Sequence, residues 1–144
     1  MMTRPGKKLL SVCTKVIKDS RVCSLTTIGL NGFPRTRLMG TFVCGKEWEI
    51  LFVCLADSNK IQEIACIEKT QVLFWSVDYH AVVSLSGVCA LVQDKTIRRR
   101  IYRRTAPLQL FPVFNDTFAV IRFKASCLEY LNLMASNKAV EISI

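Results

Sequence analysis

Residues 50–67, ILFVCLADSNKIQEIACI, constrain the chain most. An uncharged apolar run through Ala56 stops at Asp57-Ser58-Asn59-Lys60, and helical spacing replaces it. The run is far too short to span a bilayer, so it predicts a buried strand feeding a helix start. Asp57 or Ser58 offers a side-chain oxygen to the orphan N–H groups of the first turn, and Ile61, Ile64 and Ala65 then fall on one helical face. Such a start is also an anion site: free N–H groups, the positive end of the helix dipole, the Ser58 hydroxyl and the Lys60 ammonium suit a phosphate. A plain capped helix with a solvated lysine needs only the Asp or the Ser, so spacing leaves both open.

The segments around this unit alternate in period. Residues 9–18 carry Leu9, Val12, Cys13, Val16 and Ile17 at helical spacing, after a basic, fraying start, and Asp19-Ser20 ends them. Residues 22–28 (VCSLTTI) are β-rich, and Asn31-Gly32 supplies a turn that tolerates positive φ, so residues 34–44 are expected to fold back as a hairpin partner. Alternation in that second strand places Arg35, Arg37 and Met39 on one face and Thr36, Leu38, Gly40 and Phe42 on the other. Arg37 beside Met39 and Gly40 suits a ligand anionic at one end and flat and apolar at the other; an exposed charged strand face fits the same pattern.

Further strands are expected at 48–55, 71–77, 81–92 and 117–123, with a seventh candidate at 127–133; the central helix runs to about Lys69. Gly87 inside the longest run marks a bulge or bend of the kind that closes small barrels. A helix opened by Asp94 and ended near Pro107 carries Arg99, Arg100, Arg103 and Arg104 as a basic stripe, with Ile97 and Ile101 on another face. Residues 140–144 find no place in this scheme. Six or seven strands dominated by hairpins, with three helices at the crossovers, predict a single α+β barrel domain over residues 1–144.

In this order, the helix, VCSLTTIGLNGFPRTRLMG, EILFVCLADSNKIQEIACIEKTQVLFWS, VSLSGVCALVQDKT and the FP-x-x-x-D of residues 111–116 resemble the pyridoxamine-phosphate-oxidase-like, or general stress protein, family of FMN-binding split barrels. The resemblance covers about residues 10–130. It implies a split β-barrel that forms a homodimer with FMN at the subunit interface. It further implies that Arg37 is the strand arginine on the phosphate, that Leu38, Met39 and Gly40 run along the flavin ring, and that Ser58, Asn59 and Lys60 occupy the phosphate segment. Asn59 stands where the family often has arginine, which removes one cationic contact. Phe42 stands where true pyridoxamine phosphate oxidases have lysine, and their tryptophan and arginine near the C-terminus have no match. The expected function is therefore an FMN-binding redox protein, a flavin-dependent oxidoreductase of unknown substrate rather than a true pyridoxamine phosphate oxidase. The alternative is a non-catalytic split-barrel binding protein with a lost or different cofactor: haem, a deazaflavin or another anionic ligand.

Other chemistries find less support in the residues. The single histidine, His80, lies in an expected turn, so no nucleophile, base and orienting group can be assembled around it. The seven cysteines are scattered singly, mostly inside apolar runs, without C-x-x-C pairing; they read as free thiols, with neither a disulfide framework nor a zinc site. A net charge of +9 invites a nucleic-acid reading, but the only dense cluster is the arginine helix, which also reads as a solvated face; a nucleic-acid partner is not expected. The N-terminus lacks the apolar core and cleavage site of a signal peptide, which together with the short apolar runs predicts a cytoplasmic protein without membrane attachment.

Overall fold

A computed structural model describes residues 6–108, 110–135 and 138–144; the basic start before Gly6 lies outside them. Among the described residues three α-helices accompany a single eight-stranded antiparallel sheet: α1 Lys7–Asp19, β1 Cys23–Ile28, β2 Pro34–Met39, β3 Phe42–Cys44, β4 Glu49–Leu55, α2 Asn59–Cys66, β5 Lys69–Ser76, β6 Ala81–Leu91, α3 Lys95–Thr105, β7 Phe118–Asn132 and β8 Val140–Ser143. The α+β split barrel expected from the sequence is what the chain adopts.

Strand order explains the curvature. The sheet runs β2-β1-β5-β6-β7-β4-β3, with β8 added to β7, so β2 and β3 stand at opposite ends although only Gly40 and Thr41 separate them in the chain. A flat sheet cannot satisfy that link; it has to curl until its two ends come side by side. Residues 34–44 are thus two strands and not the one continuous hairpin partner expected. The first pairs with β1 and the second with β4, Phe42 opposite Phe52.

The run that opened the sequence reading is apolar throughout because both of its faces are covered. Ile50, Phe52 and Cys54 of β4 point into the main core with Leu25, Val72, Phe74, Phe123 and the Cys13-Val16-Ile17 face of α1. Leu51 and Val53 point the other way, into a second cluster with Val92, Ile101, Phe118 and Val120 beneath α3. That helix is held on the sheet by its buried Ile101 and by Arg98, whose Nη2 donates to the Phe118 carbonyl at 2.6 Å, while Asp94 caps its start by accepting from Thr96 and Ile97.

Two further differences from the sequence expectation have local causes. Residues 117–123 and 127–133 join into β7, which runs on through a bulge of its own at Ser126, opposite the Ser86–Gly87 step of β6. A side chain at Gly87 would collide with the Lys124 carbonyl oxygen, so the glycine lets two backbones touch where the barrel bends. The unplaced C-terminal residues form β8, which pairs Tyr130 with Val140 and Leu128 with Ile142 and buries Ile142 completely. Among the described residues no helix is long and apolar enough to cross a membrane.

Candidate functional site

The start of α2 and the inner face of β2 meet beside the β1–β2 hairpin. Alternation along β2 is as expected: Met39 is buried and Arg37 half-buried on the inner face, while Leu38, on the outer face, is 76% exposed. The residues expected along a ligand's ring therefore divide between two faces. Gly40 has nothing near the position its Cβ would take, so the backbone there is open to close approach.

At the helix start, Ser58 occupies the N-cap position, but its hydroxyl does not cap; neither does Asp57. The Ser58 Oγ is buried and meets no nitrogen or oxygen partner among the described residues; it lies against the Cys54 thiol. Lys60 and Ser58 both act on the neighbouring Cys54: burial pushes its thiol up, against the opposing pull of the Lys60 charge and then of the Ser58 hydroxyl. Asn59 is exposed beside them. Cys66, at the far end of the helix, is exposed and away from this cluster.

Arg37 is drawn one turn further along α2. Its Nη2 donates to Glu63 Oε1 at 3.1 Å, its Nη1 donates to Thr27 Oγ1 at 2.7 Å, and Thr27 Oγ1 in turn donates to Glu63 Oε2 at 3.2 Å. Arg35 Nη1 stands 3.8 Å from the same carboxylate. Burial pulls the Arg37 guanidinium below its ordinary pKa; the Glu63 charge opposes this and Arg35 adds to it. Glu63 is 1% exposed and was not singled out from the sequence. A signal existed, since two arginines on an inward strand face need a counter-charge and Glu63 is the only acid in α2. Helical spacing had pointed instead to Ala65 as buried, and that residue is exposed.

The remaining candidates lie elsewhere. His80 sits in the β5–β6 turn at φ +47, exposed. On α3, Arg99, Arg100, Arg103 and Arg104 form an exposed basic face that makes no ion pair among the described residues, with the Arg99 guanidinium 5.3 Å from the Phe114 ring centre. Four cysteines, Cys13, Cys23, Cys54 and Cys89, are buried, and all seven are free.

Comparison with known proteins adds a lineage to this geometry. The family profile described as Pyridoxamine 5′-phosphate oxidase matches residues 11–130. No curated protein sequence matches. Among solved structures, a protein of Clostridium acetobutylicum related to general stress protein 26 of B. subtilis superposes with a TM-score of 0.80 at 15% identity, covering 97% of each chain. A pyridoxamine 5′-phosphate oxidase-related, FMN-binding protein of Nostoc punctiforme gives 0.74 at 14% identity over 99% of this chain and 97% of that one. A haem-binding protein of Mycobacterium smegmatis also gives 0.74, at 12% identity, over 99% of this chain and 60% of that one. At such identities the superpositions establish the shared fold alone.

Proposed function

Because this chain belongs to the pyridoxamine 5′-phosphate oxidase family, we propose that it binds FMN, with the phosphate at the start of α2, and works as a flavin-dependent oxidoreductase. The observation that carries this is the Ser58 hydroxyl, buried at a helix N-terminus with no nitrogen or oxygen partner among the described residues and only the Cys54 thiol against it. A thiol is a weak hydrogen-bond acceptor for a buried hydroxyl, and a phosphate oxygen accepting from it is a stronger one. Lys60 supplies a charge beside it, and Arg37 retains an Nε–H that donates to nothing among the described residues. The donor set therefore fits a phosphate monoester.

When bound, the flavin supplies hydride or electron transfer at its ring. The chain's part is to orient it. Gly40 leaves room for a flat ring against the backbone, and Met39 offers an apolar edge. A second copy of the chain completes the site in this proposal. Leu38 and Leu73 flank Ser24 on the outer sheet face, and Trp75 follows on the same face, 58% exposed. That apolar face suits a two-fold interface, which would cover Leu38 and put it near the cofactor.

One observation favours a second reading, a split-barrel binding protein without flavin chemistry. The charge of Arg37 is already met by Glu63. Titration with FMN separates the two: saturable quenching of flavin fluorescence with a shifted absorbance band is expected, and its absence at hundreds of micromolar ligand leaves the binding-protein reading.

A further inference from the structure

Glu63 is an unusual residue for its place. A carboxylate on the second turn of a surface helix, 1% exposed, has lost its hydration, and an apolar side chain of similar size would fill the position without that loss. What it meets in return are the two arginines of β2 and the Thr27 hydroxyl, itself fully buried. Arg37 in turn spends Nη1 on Thr27 Oγ1 and, at 3.5 Å, on the Leu25 carbonyl, and Nη2 on Glu63. Among the described residues its Nε–H and one Nη2–H are left without an acceptor. Arg35, half-exposed, stands at the rim of a cleft of about 400 Å³ lined also by Phe33, Asn59, Gln62 and Glu63. Arg35 and Glu63 line this cleft while Arg37 meets the same carboxylate from behind it, and the helix position between Ser58 and Lys60 holds an uncharged asparagine.

We propose that Glu63 is an internal counter-anion that occupies Arg37 and thereby sets how tightly the α2 pocket takes a phosphate group. The proposal rests on the reading of this pocket as a phosphate site. Anion and carboxylate draw on the same guanidinium from different edges, so a phosphate can bind without breaking the Arg37–Glu63 pair, but against the repulsion of a negative charge buried where solvent screens it weakly. Glu63 is a positioning residue in this scheme: it makes no bond to the anion, and acts by holding Arg37 and by its own charge.

The test compares wild type with Glu63→Gln, which keeps an acceptor for Arg37 and removes the charge. Glu49→Gln serves as control; it removes the same charge from the partly exposed Glu49–Arg122 pair on β4 and β7. FMN is titrated by fluorescence, and inorganic phosphate by its effect on the melting temperature. Glu63→Gln should bind both anions about tenfold tighter or more, and Glu49→Gln should match wild type. If Glu63→Gln melts too low to assay, Glu63→Met, an apolar filler, replaces it. Binding by Glu63→Gln where wild type binds neither ligand also supports the proposal. Equal or weaker binding by the variant overturns it, as does equal tightening in Glu49→Gln or failure of every variant to take either anion. If phosphate binds and FMN does not, the flavin reading falls while the counter-anion comparison is still decided on phosphate.

Discussion

Arg37 Nη2 lies 3.1 Å from Glu63 Oε1, and this one contact ties an edge strand of the barrel to the helix above it. Removing the acid leaves Thr27, wholly buried, short of its acceptor and Arg37 beside Arg35 without a shared anion. Breaking a fully buried pair costs roughly 3 to 5 kcal/mol, but Arg37 is 22% exposed and can turn toward water. Glu63→Ala should therefore lower the unfolding free energy by about 2 to 3 kcal/mol, read as a lower urea midpoint at unchanged slope.

Loss of a direct phosphate contact should be larger than loss of distant charge. Lys60→Ala is expected to weaken FMN by about ten- to a hundredfold, the value of a charge-assisted hydrogen bond of about 1.5 to 3 kcal/mol. Arg99→Ala and Arg103→Ala on the exposed face of α3 should leave it unchanged. A reversed ranking in the same titration would move the anion site to α3.

The outer sheet face should separate copies when charged. Trp75→Glu places a carboxylate among Leu38, Leu73 and Trp75's other neighbours on an exposed apolar face, where it costs the folded monomer little. Sedimentation velocity at micromolar concentration should show a dimer for wild type and a monomer for the variant. A wild-type monomer would contradict the two-fold site.

The close backbone approach at Gly87 allows no substitution without movement of a strand. Gly87→Ala should destabilise by about 1 to 3 kcal/mol, because the methyl group meets the Lys124 carbonyl and β6 or β7 has to shift. Gly6→Ala, where nothing lies near, provides the comparison in the same melts.

Thiol chemistry should follow burial. Burial raises Cys13 and Cys89 to about 11 and Cys23 to about 12, from an ordinary 9.0. A disulfide reagent at neutral pH should modify Cys66 quickly and those three only after denaturation. Their raised values favour the folded state while the thiols stay neutral in both states. That contribution is complete below pH 9 and is lost as pH rises through 11 to 12, because the unfolded chain releases its protons first. Chemical denaturation at pH 8 and pH 10.5 measures the fall.

Legibility in the sequence followed how local each cause was. Asp94 could be read as a helix start because a cap involves its own next turn, and Gly87 as a bulge because a lone glycine in a strand has few other uses. The split of residues 34–44 could not be read: both pieces are β-rich, and only the distant pairing of Phe42 with Phe52 assigns the second to another edge. Ser58, Asn59 and Lys60 were placed correctly at a helix start. The partner of Arg37 is not legible because Glu63 joins it through space, from a helix position outside the Ile61-Ile64-Ala65 face that spacing marks.

The two-residue link at Gly40–Thr41 bears on the order in which the chain acquires its shape. Its flanking strands are neighbours in sequence, yet the second joins the rest of the sheet only once β4 has found β7, with Leu55 opposite Phe118 far down the chain. Closing such loops costs entropy before any pairing rewards it. The β1–β2 and β3–β4 hairpins and the β5–β6 ladder can form early, from contacts close in sequence, while the β4–β7 ladder waits for the C-terminal half. Refolding should be slow, on the order of milliseconds to seconds, and pulse-labelled amide protons of residues 50–55 should gain protection last.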